Sequence, residues 1–378
     1  MARRSEPQWR VWTRRGLMAS AIGGGLASLA LDAAANEADP PSDSLKARAA
    51  RRGLFFGSGV STPQIANDPE FAAAVVADCA LVVPTVEMKW GFVERRKGEL
   101  DFAAADAIAA FARDNGLALR GHTAVWHNNV PAWLPTVLAN ADGGAVFEGH
   151  IRDVLGHFGD SIASWDVVNE AIEPRDGLPS GLRNAIFTKT LGPDYIARAF
   201  RIAREALPHT PLYYNEFGVE YDDRFHTEKR AATLALLATL RKDGLVDGFG
   251  VQSHLHTGWG FDPSVYRRFL ADVADLGLTI LLSEFDVNDT RTPADEGVRD
   301  QAIADHAQRY LDVALDEKAV KGLIAWGLSD RYTWLNAPPF ARADGRSSRG
   351  QPLDAGLARK PLWRAIARAL DGAPKRGA

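Results

Sequence analysis

Apolar runs in this 378-residue chain repeatedly close on residues that a sheet interior should not accept. SWDVV ends in Asn169 and Glu170, PLYY in Asn215 and Glu216, and LTILLS in Glu284, with Asp286 two residues on. LALRGHTAVW contains His122 and Trp126 and is followed by His127, while VDGFGV runs into Gln252, His254 and His256. Trp326 closes a last run, with Trp334 shortly beyond it. Two carboxylates facing each other across a cleft can cleave a glycosidic bond. One, protonated, donates to the leaving oxygen, and the other, ionised, attacks or assists at the anomeric carbon. Glu170 and Glu284 are the natural pair, because the fourth and seventh runs would reach a cleft from opposite sides. A separation of about 5–5.5 Å would give double displacement with retention, and a wider gap inversion. His254 is then expected to keep Glu284 ionised, Asp286 to orient His254, and Asn169 to reach a sugar 2-hydroxyl.

Such residues converge only if the runs end side by side. The strand-like runs GLFFGSGV, ALVVPTV, LALRGHTAVW, SIASWDVV, PLYYNEF, VDGFGVQSH, LTILLSEFDV and GLIAWGLSD alternate with helix-like stretches such as FAAADAIAAFARDNG, YIARAFRIAREALP and KRAATLALLATLRKDG. Eight strands alternating with helices predict parallel pairing closed into a single (β/α)8 TIM barrel, whose chemistry gathers at the C-terminal ends of the strands. A doubly wound open sheet is the rival, but FFGSGVSTPQ lacks the GxGxxG phosphate loop. One catalytic domain over residues 45–372 follows.

The formal net charge of −4 offers no basic field for nucleic acid, and a 46% hydrophobic content is that of an ordinary globular chain. Cys79 is the only cysteine, so no intramolecular disulfide is possible; its apolar context reads as a core thiol. Residues 1–44 stand apart. Arg14 and Arg15 precede a Gly- and Ala-rich apolar run with small residues near Ala35, the pattern of a twin-arginine export signal followed by a polar lead-in. The three consecutive glycines and Asp32 argue against a spanning helix. A periplasmic or secreted monomer, free of the membrane once the signal is removed, is expected.

With these residues the chain resembles the family 10 glycoside hydrolases, the endo-β-1,4-xylanase family. The matching pieces are EMKW (87–90), RGHTAVWH (120–127), WDVVNEAI (165–172), YNEF (214–217), GFGVQSHL (248–255), LSEFDV (282–287) and WGLSDRYTWL (326–335), in the family's order over residues about 50 to 370. The resemblance implies a retaining enzyme acting on xylan or xylooligosaccharides, with Glu170 as acid/base, Glu284 as nucleophile, and no metal or organic cofactor. It also implies contacts from Lys89, His122, Trp126, Asn169, Gln252 and His254 to the sugar next to the cut, between aromatic walls at Trp326 and Trp334. Two positions depart from the family pattern. Thr85 and Val86 stand where a Glu-Asn pair usually binds the sugar two places toward the non-reducing end, and Asn129 stands where a Gln is usual.

Other readings of the same residues remain. His122, His127, His254 and His256 could ligate a divalent metal, although the carboxylates already account for the cleft. A carbohydrate-binding barrel without turnover is a further alternative, which a retained nucleophile argues against. Asp166 is expected to support structure, and Glu216 is left without a role. His226 and His306 are read as surface residues, and Arg342, Arg346 and Arg349 as part of a mobile loop near the cleft.

Overall fold

The structure, a computed structural model, describes residues 43–376; the twin-arginine segment lies outside them. Nine parallel strand segments form the sheet: β1 (Phe55–Val60), β2 (Leu81–Pro84), β3 (Ala118–Trp126), β4 (Ser164–Asn169), β5 (Leu212–Glu216), β6 (Gly248–Val251), β7 (His254–His256), β8 (Thr279–Asn288) and β9 (Val320–Ala325). Pairing runs in sequence order from β1 to β6, and then β6 with β8, β8 with β9, and β9 back to β1, which closes the cylinder. The eight runs read from the sequence thus occupy eight staves of a (β/α)8 barrel. The helices read from the sequence also form, as Ala103–Asp114, Tyr195–Ala206 and Arg224–Lys242. Gly116 and Gly244, which follow the first and third of them, take the left-handed φ (+67° and +69°) that a helix exit needs.

The sixth stave departs from one continuous run. It breaks at Gln252–Ser253, and β7 resumes by pairing with β8 alone. Ser253 has φ +61°. Its N–H leaves the ladder for Glu220 Oε1 (3.0 Å), and its hydroxyl meets the Tyr310 hydroxyl (2.7 Å). Gln252 keeps its backbone in the ladder, donating to Glu216 O (2.9 Å) and accepting from Glu284 N–H (2.9 Å), and beyond the break His254 restarts a strand opposite Asp286.

Strand interiors are buried on both faces, as a barrel wrapped by helices requires. Several wall positions have no room for a side chain, and one of them bears on the cleft. A Cβ on Gly250 would sit 2.1 Å from Asn215 Oδ1, so a bare backbone there makes room for an amide that belongs to the cleft. Cys79 is fully buried, as read from its context. Among the described residues no helix is long and apolar enough to cross a membrane.

Candidate active site at the C-terminal mouth of the barrel

β4 ends in Asn169 with Glu170 next in the chain, β5 ends in Asn215–Glu216, and Glu284 and Asp286 lie in the last half of β8. The barrel therefore delivers the expected carboxylates to one mouth. A chain of three amides links them. Asn215 Nδ2 donates to Glu284 Oε1 (2.6 Å) and to Asn169 Oδ1 (2.9 Å). Gln252 Nε2 donates to Asn169 Oδ1 (3.1 Å) and to Glu170 Oε1 (3.1 Å), and Asn169 Nδ2 also reaches Glu170 Oε1 (3.2 Å). The Ser283 hydroxyl donates to Asn215 Oδ1 (2.6 Å), which fixes the direction of that amide and so of the chain. Asn215 was not among the site residues expected from sequence. YNEF contains it, but only the fold shows that it touches Glu284.

Glu284 is almost wholly buried. Burial pushes its carboxyl up. The hydrogen bond from His254, with the attraction of His122, His254 and Lys89, outweighs burial and holds the pKa at about 2. His254 Nε2 lies 3.4 Å from Glu284 Oε2, and its Nδ1 lies 2.9 Å from Asp286 Oδ1. Although burial opposes charge on this ring, Asp286 and then Glu284 raise its pKa well above the ordinary imidazole value. Asp286 is held in turn by Trp334 Nε1 (2.5 Å). The expected run from Asp286 through His254 to Glu284 is therefore in contact throughout, and Trp334, read from the sequence as an aromatic wall, extends it by one member.

His254→Gln removes the first contribution that lowers the Glu284 pKa. The carboxylate, ionised in the native site down to about pH 2, then protonates at higher pH. The acidic limb of the kcat/KM profile is expected to rise by about one pH unit or more, the scale of losing an adjacent charge. Profiles of both proteins from pH 3 to 7, each normalised to its own maximum, check this; superimposable acidic limbs would refute it.

On the other side of the cleft, Lys89 is buried, with its ammonium 4.3 Å from the Trp126 ring centre and 5.9 Å from that of Trp326. Burial lowers its pKa, against the pull of Glu284, Glu170 and Glu87. His122 packs edge-on to Trp326 at 5.2 Å, and its Nδ1 lies 3.1 Å from Asp166 Oδ2. Asp166 also accepts from Arg120. Asp166 is thus structural, as expected, and what it supports is a cleft histidine. Thr85 turns its hydroxyl to the Val60 carbonyl (3.3 Å). Glu87 does not compensate for the missing glutamate: its carboxylate accepts from the N–H of Thr62 (2.7 Å), at the start of helix Thr62–Asn67, and from that of Val86 (3.2 Å).

Glu170 stands in the left-handed region, φ +59°, where a residue with a β-carbon is strained by about 1–3 kcal/mol. The peptides that follow are held by groups with no expected role. Glu216 is fully buried; its Oε2 accepts from Ile172 N–H (3.0 Å) and Tyr214 O–H (2.5 Å), and Lys229 Nζ lies 3.0 Å from its Oε1. Glu216 is part of a buried ion pair that carries the loop after Glu170.

Two expectations are corrected. His226 and His306 are buried, not at the surface. The first packs against Tyr221 and Trp259, and the second lies 3.1 Å from the Tyr221 hydroxyl. His254 and His256 lie two apart in the short strand β7 and share its less buried face, where His256 stacks on Trp259 at 4.2 Å. Arg342 and Arg349 belong to no loose loop. Arg342 is buried and pairs with Asp344 (2.6 Å), and Arg349 makes a two-pronged contact with Asp300 (2.7 Å each); only Arg346 of the three is exposed.

The family model for glycosyl hydrolase family 10 matches residues 44–369. The chain is 31% identical over 332 residues to an endo-1,4-beta-xylanase of Agaricus bisporus, covering 86% of this chain and 92% of that one. It is 32% identical over 288 residues to endo-1,4-beta-xylanase 5 of Pyricularia oryzae, with 75% and 68% covered. Among solved structures, xylanase 10B of Thermotoga petrophila RKU-1 in complex with xylobiose is similar with a TM-score of 0.79 and 28% identity, over 87% of this chain and 97% of that one.

Proposed function

The chain belongs to glycosyl hydrolase family 10, and from that premise we propose that it is a retaining endo-β-1,4-xylanase. Glu284 attacks the anomeric carbon of a xylosyl unit while Glu170 gives its proton to the departing oxygen, leaving a glycosyl ester on Glu284. Glu170 then takes a proton from the water that opens this ester, so the anomeric configuration is restored after two inversions. The observation that carries this assignment is the contact geometry of Glu284, which meets His254 and Asn215 and is joined to Glu170 through Asn169 and Gln252, with the His254 contact lowering its pKa. A nucleophile must be charged before substrate arrives, and this carboxylate is.

Asn169 and Gln252 have their amides between the two carboxylates, which suits hydrogen bonds to the hydroxyls of the sugar being cut. Lys89, His122, Trp126, Trp326 and Trp334 make up the walls around it. The names of the relatives support xylan as the polymer. At the Thr85–Val86 position the wall presents neither a carboxylate nor an amide, which favours a sugar bound there with fewer polar contacts. The Arg14–Arg15 leader supports export before the enzyme acts.

Product analysis on linear xylan, substituted xylan and β-1,4-glucan is the test. Internal cleavage of xylan with retained configuration at the new reducing end is expected. Turnover of glucan with none on any xylose polymer would overturn the substrate assignment, and inverted products would overturn the mechanism.

A further inference from the structure

Resting on the reading of Glu170 as acid/base, we infer that Arg183, outside the cleft residues named above, is the positioning residue that holds Glu170 in its working conformation. The left-handed backbone of Glu170 must be imposed from outside, because a glutamate does not choose it. The constraint comes from two sides. On the barrel side, Glu170 N–H donates to Asn215 O (2.9 Å), Ala171 N–H to the Tyr214 hydroxyl (3.0 Å), and Ile172 N–H to Glu216 Oε2 (3.0 Å). These contacts use only N–H groups and leave the carbonyls to be held from the outer side.

Arg183 holds those carbonyls. Its Nε donates to the Glu170 carbonyl (2.7 Å), its own N–H to the Ala171 carbonyl (2.8 Å), and its Nη2 reaches the Ile172 carbonyl (3.4 Å). One residue therefore contacts three consecutive carbonyls, beginning with that of the acid itself. Its Nη1 lies 3.8 Å from Glu173 Oε2 and its guanidinium 5.8 Å from the Phe217 ring, so the side chain is fixed at its far end as well. The guanidinium makes no hydrogen bond to the Glu170 carboxylate. Its effect runs through the backbone, by keeping the carboxyl where Asn169 and Gln252 meet it.

A general acid that drifts loses its effect in proportion to how much the leaving group needs a proton. When xylohexaose is cut, the C–O bond breaks with its electron pair on a sugar oxygen, which must receive the proton of Glu170. Loss of 2,4-dinitrophenolate from a β-xylobioside needs no proton, since that anion is stable as it leaves. Arg183→Ala is expected to lower kcat/KM on xylohexaose by about 30-fold and on the aryl xylobioside by less than about 3-fold, the former in line with the penalty for small misplacements of a catalytic group. On the aryl substrate kcat and KM should fall together, because the base-assisted second step becomes limiting. Arg183→Lys, which keeps a charged donor, should recover part of the loss and serves in place of the alanine variant if that one does not fold. Equal losses on the two substrates, in a variant melting near the wild type, would overturn the positioning role. A wild type inactive on both would instead overturn the hydrolase reading on which it rests.

Discussion

Glu284→Ala is expected to reduce kcat on xylan and on aryl β-xylosides by about 10⁴-fold or more, the scale of losing a covalent nucleophile that acts as one unit with its partners. No neighbouring carboxylate can substitute. Glu216 is fully buried against Lys229, and Asp286 is committed to His254 and Trp334. The loss should not depend on the leaving group, because the missing bond forms in the first step whatever departs. Added azide can occupy the space vacated by the carboxylate and attack from that side, giving an α-glycosyl azide from a β-substrate. Mass spectrometry supplies a readout independent of rate: a 2-fluoro xyloside inactivator should add its mass to the Glu284 peptide of the wild type and to no peptide of the variant. Retention of a tenth of wild-type turnover, or a label on another residue, would remove Glu284 from the role.

The conformation of the site was only partly legible in the sequence. Glu170, Glu284 and Asp286 were visible because polar residues closing apolar runs violate the alternation of a buried strand, and a barrel makes strand ends neighbours whatever the loops do. The run from Asp286 through His254 to Glu284 could be anticipated for the same reason, whereas the Trp334 indole that ends it was read only as an aromatic wall. Asn215 was in plain view, but its importance depends on Gly250, whose missing side chain gives the amide its place. Nothing in a linear pattern marks that cross-strand vacancy. Arg183 was invisible for a different reason. It sits in an irregular return segment bridged to Ile172, where neither periodicity nor composition says which carbonyls a guanidinium will meet. Charge type misled at His226, His306, Arg342 and Arg349: polar residues are mostly exposed, and these four instead find partners inside.

Glu170→Ala should differ from Glu284→Ala in kind as well as in size. On xylohexaose, where the leaving oxygen needs a proton, kcat/KM is expected to fall by about 10²–10⁴-fold, the range of general acid catalysis. On a 2,4-dinitrophenyl β-xylobioside the first step needs no acid, so kcat/KM should stay within a few-fold of wild type. There kcat and KM should drop together as the glycosyl ester on Glu284 accumulates, because water has lost the base that activates it. Azide, which needs no base, should restore kcat and yield the β-glycosyl azide, opposite in configuration to the product from the nucleophile variant. The two anomers thus report which face of the sugar each carboxylate occupies, a point that rate losses alone cannot decide. Steady-state kinetics on both substrates, with the azide product identified by proton coupling at the anomeric carbon, check the assignment. If the aryl substrate loses kcat/KM as severely as the oligosaccharide, Glu170 is not the proton donor. The inference about Arg183 would then fall with it, since a residue cannot position an acid that does not act as one.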